Sequence, residues 1–161
     1  MQIGHYKLDS SMHDYPELTE LSRRESRILQ KAYRGERTFK GPEFLMHGET
    51  WAIYVSTLPG GQVFKLAAQF MSDDPYSIEQ AYAAAFSDYV RQFGQPQEVT
   101  PSGGHRWNQP FGNVILGHVS GPGLYAVNLI ATSDSRPVSR LEKRGCLTAA
   151  LSLVDKLWPV S

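Results

Sequence analysis

The sequence predicts an α+β domain, a two-layer antiparallel sheet with helices packed on one face. Three observations lead there. Segments 51–58 and 62–70 alternate apolar and polar residues around a Pro59-Gly60-Gly61 turn. A second set at 105–108, 114–119 and 124–131 repeats the scheme around Gly121-Pro122-Gly123. Three pairs, Ser22 with Glu25, Ser77 with Gln80 and Ser139 with Glu142, have capping-box spacing, in which each partner satisfies an orphan amide at a helix start.

The elements follow in order. A strand at 2–8 joins the sheet, and a turn of helix falls within 11–18. A short helix over 23–34 carries Ile28, Leu29 and Ala32. A strand over 38–46 precedes the first hairpin, whose Pro-Gly link suits a type II turn. The next helix spans 75–93. Asp74 and Pro75 begin it, Ile78, Tyr82, Phe86, Tyr89 and Phe93 line one side, and Gly94 and Pro96 end it. After the second strand set, a helix over 138–158 carries Leu147, Ala150, Leu151, Val154, Leu157 and Trp158, with Gly145 as its weak point. The sheet thus has five to seven strands. Both halves read βββα, and laying Pro59 on Pro122 brings them into step, which predicts a pseudo-duplication of topology.

The 161 residues form a single domain, 1–161, large enough to fold without metal or disulfide. A lone cysteine, Cys146, excludes a disulfide framework within the chain and fits a reducing compartment. The first residues lack the apolar core of a signal peptide, and no apolar run is long enough to span a bilayer, so a cytoplasmic location is expected.

Net charge is zero, which argues against a chain built wholly for nucleic acid. The charge is unevenly placed. Residues 22–40 hold seven basic side chains and two acids, Glu25 and Glu36, a net +5 balanced by −5 elsewhere. At helical spacing Arg24, Arg27, Lys31 and Arg34 fall on one stripe opposite Leu21, Ile28, Leu29 and Ala32, a basic amphipathic helix that reads first as a solvated face and, as a binding surface, suits an acidic protein ahead of nucleic acid or an anionic lipid surface. Few aromatics interleave these cations, so base stacking has little to work with.

Chemical motifs are sparse. His105 and His118 flank a turn in GGHRWNQPFGNVILGHV, with Trp107 between them. With the turn centred on Phe111 and Gly112, the two histidines face each other; one position away on each strand, His105 faces Leu116 instead. A metal site would need further ligands, from His5, His13 or His47, and the hairpin itself supplies none. The pair reads first as surface histidines beside a buried Trp107. Should a ligand site exist, Tyr54, His105, Trp107, His118 and Asn128 are the strand residues that could line it. Cys146 lies in an apolar stripe and reads as core. His47 and Glu49 lack the downstream cysteines of a zinc deaminase, and Asp73 and Asp74 suit helix capping better than acid–base work. No nucleotide-binding or hydrolase signature occurs. The sequence therefore assigns no catalytic residue, metal or cofactor.

The element order α–βββ–α–βββ–α resembles the small dimeric secretion chaperones of type III systems, although those are typically acidic. A toxin-immunity or other bacterial-type accessory protein has an equally similar architecture. Either resemblance implies a non-enzymatic protein that binds another protein or a second copy of itself. Two alternatives stand beside it. One is a small-molecule binder or enzyme with a site assembled on the sheet. The other is nucleic-acid binding through the basic 22–40 segment.

Overall fold

A computed structural model describes residues 1–22, 25, 35–121 and 123–134. The expected helix over 138–158, the body of that over 23–34, and with it Arg24, Arg27, Lys31 and Arg34, lie outside the described residues.

The chain forms β1 (Gln2–Ile3), β2 (Tyr6–Lys7), a 3-10 turn (Met12–Asp14), β3 (Thr19–Glu20), β4 (Arg37–Lys40), β5 (Phe44–Met46), β6 (Glu49–Thr57) and β7 (Val63–Ser72). Then come α1 (Pro75–Phe93), β8 (Glu98–Val99), β9 (His105–Gln109), β10 (Gly112–Gly121) and β11 (Leu124–Ser133). Among the described residues, nine strands make one antiparallel sheet in the order β3-β4-β6-β7-β11-β10-β9-β8, with β5 also paired to β6. The strand count exceeds the expected five to seven because short pairings at both rims extend the sheet. The region expected as one strand over 38–46 divides at Gly41 and Pro42 into β4 and β5. The strand residues expected at 2–8 do not join the large sheet. They close on themselves as a two-stranded hairpin, β1 on β2.

The first hairpin's turn also differs from expectation. Gly61 donates to the Leu58 carbonyl, and the positive φ falls on Gly61 (83°) rather than on Gly60. That is the pattern of a type I turn closed by a left-handed residue, whose twist matches the flanking strands. The register then shifts from Ser56↔Lys65 to Thr57↔Val63, leaving Phe64 as a bulge. Alternation alone would put Val63 on the same face as Lys65. The bulge turns Val63 instead into the core, on the same face of the sheet as α1.

α1 begins as its sequence predicts. Asp74 accepts from the amides of Tyr76 and Ser77, Pro75 occupies the first turn, and Gly94 closes the helix at φ 80°. Its buried residues Ile78, Ala81, Ala85 and Tyr89 pack on one face of the sheet. There they meet Phe70 and Ala68 of β7, Trp107 of β9, Leu116 of β10 and Leu129 of β11. The other half of this face, over Trp51, Ile53 and Val63, is covered by N-terminal side chains: Ile3, Tyr6, Leu8 and Tyr15. Both core tryptophans spend their indole donors on backbone, Trp51 on the Met46 carbonyl at 3.0 Å and Trp107 on the Gly94 carbonyl at 2.9 Å. No helix of the described residues is long and apolar enough to cross a membrane.

Candidate functional site

The pairing of β9 with β10 decides the relation of the two histidines. His105 is opposite Leu116, and Gly112 is opposite Gln109, so the turn is Pro110-Phe111. Gly112 fixes this choice. Its φ is 141°, and a Cβ there would lie 1.9 Å from the Thr132 carbonyl oxygen, so only glycine fits at the head of β10. His105 and His118 are therefore diagonal neighbours on one face, a placement that leaves roughly 7–8 Å between their backbones.

Tyr82 of α1 comes between them. Its hydroxyl lies 2.5 Å from His105 Nδ1, and its ring meets His118 edge-on, with centroids 5.1 Å apart. Burial pushes the Tyr82 phenol up from its ordinary value, so it keeps its proton. Phe86, one turn along α1, packs on His105 at 4.8 Å and on Trp107 at 5.8 Å. His105 is half-buried and His118 is exposed, so only His118 keeps the expected surface character. Trp107 is fully buried and serves as a core anchor rather than a contact surface.

The five strand residues that could have lined one cavity separate by parity. His105, Trp107 and His118 point to the α1 face. Tyr54 and Asn128 belong to the opposite face, where Asn128 accepts from Gln69 at 2.9 Å. The other histidines do not complete a metal site. His5 Nε2 lies 2.6 Å from Glu17 Oε1, which holds that carboxyl below its usual range. His47 lies 3.4 Å from Asp88. Among the described residues, no three or more His, Cys, Asp or Glu come together as a set of metal ligands.

No protein family, curated protein or solved structure matches the chain. The molecule's own geometry is therefore what bears on function.

The basic segment is rooted at the far rim of the sheet, between β3 and β4, while the histidine cluster sits by β9. The expected capping box at its start is present: Ser22 N donates to Glu25 Oε2 at 2.9 Å, and Glu25 N donates to Ser22 Oγ at 3.3 Å. At its end, Glu36 is almost wholly buried and pairs with Lys65 at 2.8 Å. Arg37 makes a two-point contact with Glu20 of β3. Tyr54, on the face opposite α1, has its phenol pushed up by burial and then by the Glu43 and Glu25 carboxylates.

Sequence reasoning missed Tyr82 and the Glu36–Lys65 pair. Tyr82 carried a signal as part of the α1 stripe, but its position between two imidazoles exists only once the helix lies on the sheet. Glu36 was visible only as one of two acids in a basic run.

Proposed function

We propose that this chain is a non-enzymatic, cytoplasmic protein-binding or accessory protein, chaperone-like or immunity-like in kind. In this reading Arg24, Arg27, Lys31 and Arg34 meet an acidic surface on another protein or on a second copy. One observation carries it: both acids of the basic segment are already committed, Glu25 to the cap and Glu36 to Lys65. Each acid is held by a partner outside the 23–34 stripe, and a basic patch of this kind raises the rate of encounter with an acidic partner.

The test compares tagged wild-type protein with a variant carrying Glu at all four positions. The expected result is a co-purifying acidic protein, or self-association by light scattering, that the variant loses while its melting curve is kept. A monomer that retains nothing overturns the reading. Capture of nucleic acid, with affinity falling steeply as salt rises, favours the nucleic-acid alternative instead.

A second reading, a small-ligand site at Tyr82, His105 and His118, is favoured by the 2.5 Å contact and the edge-on packing around Tyr82. A thermal-shift screen decides it, because a ligand of the native state raises the melting midpoint and a His118→Ala variant would lose that shift.

We also propose that the fold is a two-layer βββα duplication. The superposition that lays Pro59 on Pro122 lays Ala67 on Ile130, and those two are direct partners in the central β7·β11 ladder. A pseudo-dyad through that pair is what a duplicated sheet requires.

A further inference from the structure

Residues 1–8 stand apart in their bonding. β1 and β2 pair only with each other, and Leu8 N donates to the Met1 carbonyl at 3.0 Å. Among the described residues, no backbone–backbone hydrogen bond joins this hairpin to another element. Its outward backbone contacts go to side chains. Lys7 N donates to the Tyr15 hydroxyl at 2.9 Å, and the Lys7 carbonyl accepts from Ser10 Oγ at 2.6 Å.

One residue later the bonding changes. Asp9 N donates to the Val63 carbonyl at 2.8 Å, Val63 N donates to the Ser10 carbonyl at 2.9 Å, and Met12 N donates to the Gly61 carbonyl at 2.9 Å. The Asp9 carboxylate also accepts from Ser133 Oγ at 2.6 Å. Asp9 sits at φ 66°, a left-handed conformation that is uncommon for a residue with a Cβ. The chain therefore turns sharply at the point where backbone anchoring begins.

What holds the hairpin down is side-chain burial. Ile3, Tyr6 and Leu8 share a core with Trp51, Ile53 and Val63. The Tyr6 ring lies 4.9 Å from that of Tyr15, and its tip comes so near Gly41 that a Cβ there would lie 2.4 Å from the phenol oxygen. This seat is imperfect. Tyr6 is 1% exposed, and its hydroxyl has no hydrogen-bond partner. A hydroxyl that gives up water and gains no partner favours the raised state, where water returns to it. At the surface, His5 Nε2 meets Glu17 Oε1 at 2.6 Å.

We propose that residues 1–8 are a lid hinged at Asp9. The lid lifts from an aromatic slot over Trp51, Ile53 and Gly41 while residues 9–12 stay bonded along Gly61–Val63. Once raised, a two-residue ladder is too short to hold itself together in water, so its amides exchange. The slot opens without unfolding the sheet, as a local opening of the kind that precedes global unfolding.

Hydrogen exchange of the full chain, resolved by residue with NMR, tests this. The amides of Lys7 and Leu8 are the reporters, and those of Asp9 and Val63 are the anchors. In wild type the reporters should be less protected than the anchors by roughly tenfold or more, with a weaker dependence on added urea. Tyr6→Phe keeps the ring and removes the unpartnered oxygen, so it should slow the reporters about tenfold. Gly41→Ala puts a carbon where the Tyr6 tip lies, so the reporters should lose their protection while the anchors keep theirs.

Reporters and anchors that exchange together in wild type overturn the inference, because 1–12 then opens as one unit. A Tyr6→Phe protein whose reporters are not slowed overturns it as well, since the hydroxyl then does not favour lifting. So does a Gly41→Ala protein in which Asp9 and Val63 lose protection along with Lys7 and Leu8.

Discussion

The hydroxyl of Tyr82 lies 2.5 Å from Nδ1 of His105, tying the middle of α1 to β9 near the rim of the sheet. In Tyr82→Phe the half-buried imidazole loses that partner while the ring packing on Phe86 and His118 is kept. The expected cost is about 1 kcal/mol, seen as a lower urea midpoint with an unchanged slope. An unaltered midpoint would show that water replaces the hydroxyl at no cost.

Gly112 gives a larger effect. In Gly112→Ala the new carbon would collide with the Thr132 carbonyl, which the β10·β11 ladder holds in place. The expected loss is at least about 3 kcal/mol. Gly48 provides the contrast, since it also has positive φ (79°) but open space around its missing Cβ. Gly48→Ala should cost only about 1 kcal/mol, from backbone strain alone. Chemical denaturation of the two variants separates crowding from conformation, and equal losses would refute the distinction.

The Glu36–Lys65 pair should behave asymmetrically. Both side chains are nearly buried, at 1% and 11% exposure. Lys65→Met removes the ammonium from the Glu36 carboxylate and should destabilise the fold, while the double change with Glu36→Leu should recover part of that loss. Additive losses in the double variant would show that the pair is not coupled.

The α1 cap should show a pH signature. Hydrogen bonds from the Ser77 hydroxyl, then from the Tyr76 and Ser77 amides, hold the Asp74 carboxyl below its ordinary 3.8. Its contribution is whole above the unfolded-state value and is lost as pH falls through the lower folded-state one. Asp74→Ala should therefore melt below wild type at pH 7, with the gap narrowing toward pH 3. A gap independent of pH would mean that the charge plays no part in the cap.

How far the sequence carried the fold depends on whether the signal was local. α1 was legible because cap, proline, stripe and terminal glycine all lie within twenty or so residues and agree. The long hairpins were legible by alternation. The β9–β10 register was not, because two turn placements one position apart both leave an apolar alternation, and the deciding contact is with Thr132 on a third strand. The bulge at Phe64 was hidden for a similar reason, since both Val63 and Phe64 suit a core. At the candidate site, His105 and His118 were identifiable as residues, but their relation required α1 to bring Tyr82 between them.

Both rims of the large sheet are closed by two-residue strands, β3 with Glu20 held by Arg37 and β8 with Glu98 held by Arg106. On β9, the Asn108 amide is satisfied by the Gln97 side chain rather than by a strand. Among the described residues, an arriving chain meets a brief, charged template at either border, which works against end-on polymerisation into a continuous ribbon. That steers a copy meeting another in crowded solution toward the broad surfaces of the sheet and away from fibrils.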